Sequence, residues 1–163
     1  MSGRIYGFEP IFAADSELLI LGSFPSVRSR QIDFYYGNPR NRFWEMLCGF
    51  FGERAQSTEE KRSFLLAHRI ALWDAVASCE ITGSADASIR NFEPADVPSL
   101  LARTSVSLVL CNGRAAHKIL TEAFPALSVP VRLMPSTSPA NPRFSPGPWL
   151  DALHGVFGVR GGE

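Results

Sequence analysis

Four short apolar runs constrain this chain more than any other feature in it. They are Glu17–Gly22 (ELLILG), Ile70–Val76 (IALWDAV), Ser107–Gly113 (SLVLCNG) and Val131–Ser136 (VRLMPS). Each is nearly continuous rather than alternating, and each has only the length of a strand. Runs of that kind fit strands covered on both faces. Helical segments lie between them: NRFWEMLCGFFG, TEEKRSFLLAH, the short VPSLLA, RAAHKILTEAF and, after the last run, WLDALHGVF. Ser57 with Glu60 forms a capping-box signature at the head of the second segment. Asp96 is placed to cap the third. Strands alternating with helices predict βαβ units around a parallel sheet, an α/β fold. Residues 77–95 read as polar and irregular, and Ser23 to about Pro39 as a loop.

A parallel sheet of this type binds ligands at the carboxyl ends of its strands. Those ends carry GSFPS, WDAV, CNG and PSTSPAN. Turn-forming and polar residues therefore converge on one edge.

The 163 residues, 45% of them hydrophobic, suit one domain spanning 1–163 with a sizeable core. Sixteen basic residues balance sixteen acidic ones, so no global field draws the chain to nucleic acid. Any contact with nucleic acid would then have to come from a local patch and backbone amides. Only Lys61 and Lys118 are lysines, the other basic residues being arginines suited to bidentate phosphate contacts. Three separated cysteines, Cys48, Cys79 and Cys111, indicate neither a disulfide framework nor a metal site, and a reducing cytoplasm is expected. No apolar stretch has the length of a membrane span, and MSGRIYGFEP lacks a signal-peptide core.

Several chemistries lack their signatures. There is no GxGxxG after the first strand, no GxxxxGK[ST], no GxSxG elbow and no HxE…PCxxC. His68, His117 and His154 fall in helical segments without metal-ligand spacing. What remains is amide and hydroxyl chemistry in two loops, GSFPSVRSRQIDFYYGNPRNRFW and LMPSTSPANPRF.

Together these loops resemble motifs 1 and 2 of the uracil-DNA glycosylase superfamily. The first matches the hypoxanthine-DNA glycosylase branch, family 6. YYGNPRNRFW is also similar to the mismatch-specific uracil glycosylases, and MPSTSPAN to the MPSSSA-type motif of the thymine and mismatch-uracil enzymes. The likeness runs over about residues 17–150. It implies a three-layer αβα sandwich with a four-stranded parallel sheet in order 2-1-3-4. It further implies no metal, no cofactor and extrusion of the target base, whose glycosidic carbon is unreachable inside a duplex.

The resemblance also implies roles. Breaking a glycosidic bond needs a placed water and relief of negative charge on the leaving base. Most of the superfamily holds that water with an Asn or Asp in motif 1, where this chain has Phe24. In the hypoxanthine-type branch the Asn of NRFW takes the role, here Asn41. The same residue is well suited merely to cap the following helix. Tyr36 matches the aromatic that stacks on the flipped base, and Phe24 is the expected opposite wall. Asp74 stands where relatives carry an Asn that reads the base edge, and a carboxylate acceptor suits the N1–H of hypoxanthine. Asn112 is a second candidate for that edge. Structural readings compete: a half-buried tyrosine, an aspartate bonding local backbone, a turn asparagine before glycine.

Ser136, Thr137 and Ser138 are expected to face phosphates, with Ser23 and Ser26 pinching from the other side. Pro139, Ala140 and Asn141 form the expected wedge. Arg28, Arg30 and Arg143 are candidate backbone contacts. Lyase chemistry needs an amine nucleophile, and both lysines lie in helices away from the loops. The expectation is a monomeric, cytoplasmic, monofunctional enzyme acting on DNA with deaminated bases, hypoxanthine before uracil. Alternatives are the reverse substrate order, a non-catalytic lesion binder and a nucleotide- or flavin-binding module.

Overall fold

The computed structural model describes residues 4–81 and 89–158. In chain order its elements are β1 (Arg4–Tyr6), β2 (Leu18–Gly22), α1 (Val27–Ile32), α2 (Phe43–Phe51) and α3 (Thr58–Ala67). Then come β3 (Ile70–Asp74), β4 (Val76–Ile81), β5 (Ile89–Pro94), α4 (Val97–Ala102), β6 (Leu108–Asn112), α5 (Arg114–Ala123), β7 (Val131–Met134) and α6 (Gly147–Phe157).

The four apolar runs pair as one parallel sheet in the order β3-β2-β6-β7. Numbered by appearance among themselves, these strands stand 2-1-3-4, as the resemblance implied. Every residue of β2 is buried, because it lies inside the sheet with helices on both faces. Its side chains alternate between two cores. Leu18 and Ile20 meet α2, α3 and α6, while Leu19 and Leu21 meet α4 and α5. The result is a three-layer αβα sandwich. Burial of each such leucine contributes roughly 1.5–3 kcal/mol. The fourth strand departs from the doubly covered expectation, since Arg132 and Leu133 are exposed on this sheet edge.

The caps read from the sequence are present. Ser57 and Glu60 form the reciprocal capping box of α3, and the Asp96 carboxylate accepts from the Ser99 N–H at the head of α4. The three cysteines are free and buried, and burial pushes the Cys111 thiol up to about 12. Among the described residues no helix is long and apolar enough to cross a membrane.

Two segments differ from expectation. Within 77–95, β4 and β5 form an antiparallel pair, and β1 joins β4 from the other side. The pair carries two register shifts, which break the period-two alternation that marks a strand in sequence. Residues 82–88 lie outside the described residues. In the loop after β2, a six-residue helix α1 forms behind Ser26, whose side chain accepts from the Ser29 N–H.

Candidate active site

The loops at the carboxyl ends of β2, β3, β6 and β7 enclose a cavity of about 360 Å3. Phe24, Tyr36, Asn41, Asp74 and Asn112, scattered over 89 positions of sequence, all line it. The sheet brings them together: Gly22 and Asp74 are register partners at the ends of β2 and β3, with Asn112 ending the next strand.

The floor is built on Gly22. A Cβ there would stand 2.5 Å from Asp74 Oδ1 and 2.8 Å from the Tyr36 hydroxyl. Only a hydrogen side chain lets the two groups close over the strand end. Asp74 is 4% exposed. Tyr36 reaches this point from a left-handed backbone with φ 51°. A non-glycine residue held there stores about 1–3 kcal/mol of strain, which the surrounding packing must sustain. Its ring packs on the fully buried Phe43, centroids 4.2 Å apart. Burial first, and the Asp74 carboxylate second, push the Tyr36 hydroxyl well above its ordinary range. The group therefore stays protonated. Tyr35 diverges: its hydroxyl donates to the Glu9 carbonyl at 2.8 Å and ties the segment before β2 to the core.

Phe24 is buried against Val76 and Cys79, so one wall of the cavity rests on the antiparallel sheet. Asn41 serves two ends. Its Oδ1 accepts from the Phe43 N–H at 2.9 Å, satisfying the first amide of α2 from one position before the Arg42 N-cap, while the residue lines the cavity.

The far wall is held by hydrogen bonds. Asn112 Oδ1 accepts from the Thr137 N–H and Asn112 Nδ2 donates to the Thr137 hydroxyl, both at 3.0 Å. This two-point tie locks the loop after β7 to the end of β6. Thr137 is fully buried, and its hydroxyl serves as an internal anchor at the cavity wall. Asn112 spends one bond of each amide atom on the loop, and the Tyr36 side chain stands beside it as a further partner. Gly113, at φ 99°, makes the turn, and a Cβ there would press to 3.3 Å on Ser136.

Past Thr137, the loop is a chain of local side-chain turns. Ser136 Oγ accepts from the Ser138 N–H, Ser138 Oγ from the Ala140 N–H, and Asn141 Oδ1 from the Arg143 N–H. Pro139 and Ala140 stand exposed at the tip of a turn, and Arg143 is exposed beside them. Ser23 and Ser26 line the mouth from the opposite side, Ser26 also capping α1. Arg28 is exposed nearby, whereas Arg30 folds back toward the Phe24 ring, 6.0 Å from its centroid.

Three features escape the sequence reading. Gly22 carried a signal, a glycine closing an apolar strand. Arg114 lines the cavity at the start of α5 but looks like any helical arginine. Arg42 donates from Nη2 to the Ser138 and Asn141 carbonyls, a partnership across about 100 positions that no local pattern announces.

The sequence profile of the uracil DNA glycosylase superfamily matches residues 9–149, which contain both loops and all four parallel strands. The chain belongs to that superfamily. Two relatives, from Methanosarcina acetivorans and Methanosarcina barkeri, are each named hypoxanthine DNA glycosylase. The first is 35% identical over 142 residues, 85% of this chain and 89% of its own. The second is 32% identical over 143 residues, 84% and 88%. A solution NMR structure of a Methanosarcina acetivorans protein superposes with TM-score 0.79 at 31% identity, covering 94% of this chain and 99% of that one.

Proposed function

We propose that this protein is a monofunctional DNA glycosylase that extrudes hypoxanthine, and secondarily uracil, from DNA and hydrolyses its N-glycosidic bond. The observation that carries the reading is a cavity with a carboxylate floor, Asp74, and an amide wall, Asn41, at the carboxyl edge of the sheet. The relatives' names support the hypoxanthine preference.

The chemistry follows from the side chains. Hypoxanthine and uracil present a ring N–H beside a carbonyl. Their undamaged parents, adenine and cytosine, present a bare acceptor nitrogen at the same place. The Asp74 carboxylate accepts from the former and repels the latter, and a mismatched buried polar pair is a strong discriminator. Phe24 and the Tyr36 ring wall the base on its faces, stacking that contributes roughly 1–3 kcal/mol per base. The Phe43 N–H holds one lone pair of Asn41 Oδ1, which fixes the amide and leaves its second lone pair to accept from a water. That water attacks the sugar carbon as the base departs. Pro139 and Ala140 fill the gap left in the stack, and Ser136, Ser138, Ser23, Ser26 and Arg143 contact the backbone. Lys61 packs 5.2 Å over the Trp44 ring, and Lys118 lies on α5, so neither amine attends the site to open the sugar.

A strand-cleavage assay tests this. Oligonucleotides with one deoxyinosine or one deoxyuridine are incubated with wild type and Asn41→Ala, then heated in alkali to cut abasic sites. Product that appears only after alkali, and that Asn41→Ala loses, is the expected outcome. Cutting without alkali contradicts the monofunctional reading. Release of neither base overturns glycosylase activity and favours lesion binding, which a gel-shift on the same oligonucleotides detects.

A further inference from the structure

We infer that Arg42 is a positioning residue that locks the exposed Pro139–Ala140 turn to the backbone carrying Asn41, so that base extrusion and water placement act as one unit. The inference rests on the glycosylase reading above and adds to it a residue for which that reading has no role.

The geometry is specific. Arg42 Nη2 donates to the Ser138 carbonyl at 2.6 Å and to the Asn141 carbonyl at 2.7 Å. Those carbonyls bracket Pro139 and Ala140, so a single guanidinium nitrogen closes the turn at its base. The backbone of the same residue donates to the Thr137 carbonyl at 3.1 Å. The guanidinium carbon lies 4.6 Å from the Phe144 ring centroid, which holds the plane over the far side of the loop. Arg42 thus grips residues 137–144 at four points. It is also the N-cap of α2 and the immediate neighbour of Asn41, whose amide is fixed on the next residue but one.

The loop needs such a clamp. Thr137 is its one fully buried anchor, and the turn beyond it buries little apolar surface. A charged donor bonding two carbonyls is stronger than neutral bonds of the same number. Lysine, with one compact ammonium, does not reproduce the flat fork and its stacking. A turn that enters a duplex must hold its shape against the stack that it parts, whereas a base with no pairing partner leaves the stack at lower cost. Loss of the clamp should therefore fall hardest on paired substrate.

The test uses Arg42→Met, which keeps the apolar stem beside Phe144, and Arg42→Lys. Single-turnover rates are measured on a duplex with deoxyinosine opposite cytosine, and on the same strand opposite an abasic-site analogue. The expected result for Arg42→Met is a loss of tenfold or more on the paired substrate and under threefold on the unpaired one. Arg42→Lys should recover part of the paired rate. Thermal melting checks that both variants fold. An equal loss on both substrates, or no loss on either, overturns the clamp. If wild type cuts neither substrate, the glycosylase reading itself has failed, an outcome distinct from any behaviour of the Arg42 variants.

Discussion

The two loops that meet over the cavity are anchored in opposite ways. The segment after β2, residues 23–42, is held by aromatic burial: Phe24, Phe34 and Tyr35 are all buried, and Tyr36 packs on Phe43. The Trp44 indole N–H donates to the Tyr35 carbonyl from within the core. The segment after β7 is held by hydrogen bonds from outside itself, from Asn112, Arg42 and the buried Trp149 indole, and by serine and asparagine turns within it. Apolar anchoring in a packed core resists displacement in every direction. Hydrogen-bond anchoring fixes a shape through a few directional contacts, so loss of one partner frees the turn that it holds. The first loop presents Phe24, Tyr36 and Asn41 from packed aromatic supports, and the second presents its exposed Pro139–Ala140 turn from directional bonds.

The comparison can be broken at either loop. The largest effect is expected for Asn41→Ala on the rigid side. Loss of a positioned catalytic amide lowers the single-turnover rate by about 10²–10³. Removal of the cap should cost only about 1 kcal/mol of stability, read by urea denaturation. A rate loss that merely follows instability would show that Asn41 is a cap and nothing more.

Next is Gly22→Ala, where the new methyl collides with Asp74 and Tyr36. Overpacking of this sort costs about 1–3 kcal/mol, and the melting temperature should fall with the activity. A fully active, stable variant would mean that the floor is softer than its geometry indicates.

On the hydrogen-bonded side, Asn112→Leu strands the buried Thr137 N–H and hydroxyl. Each stranded group costs about 1–3 kcal/mol, so stability should fall by roughly 2 kcal/mol or more. Hydrogen exchange should rise in residues 135–144 and stay unchanged in 34–44. Equal exchange in both segments would erase the distinction between the loops.

Alkaline titration sharpens the aromatic side. Burial pushes the Tyr35 and Tyr36 hydroxyls above the ordinary tyrosine value of 10.0. The folded state thus binds more protons than the unfolded state once pH passes that value. Their contribution to stability is complete below about pH 10 and falls as pH rises further. Phenolate absorbance of both residues should appear only with unfolding. Ionisation of either in the folded chain would contradict the tight packing.

Arg143→Ala gives the smallest change. In the role proposed for this exposed arginine, its loss should weaken DNA binding uniformly across sequences and reduce the salt slope by about one. A sequence-dependent loss would instead assign Arg143 to base contact.

Much of this was legible along the chain. The parallel sheet could be read because doubly buried strands are continuous apolar runs, and ELLILG and SLVLCNG admit little else. The helix caps could be read because capping is local, Ser57 to Glu60 and Asp96 to Ser99. The strand ends could be placed on one edge because such a sheet gathers them there, and the resemblance then named Phe24, Tyr36, Asn41 and Asp74 among the groups on it. The antiparallel pair β4–β5 was not legible, since its register shifts erase the alternation that betrays a strand.

Local patterning was enough for the strands, and the resemblance for their order and for the groups at the carboxyl edge. What those groups do to one another was settled by packing in three dimensions. It turned Thr137 inward, committed Asn112 to the loop, brought the Tyr36 hydroxyl over Gly22 beside Asp74, and closed Arg42 on a turn nearly 100 residues away. The physical reason is range. Propensity and capping act within a few residues of the chain, whereas a hydrogen bond or a van der Waals contact depends only on distance in space. Which side chains occupy that distance is settled when the sheet assembles.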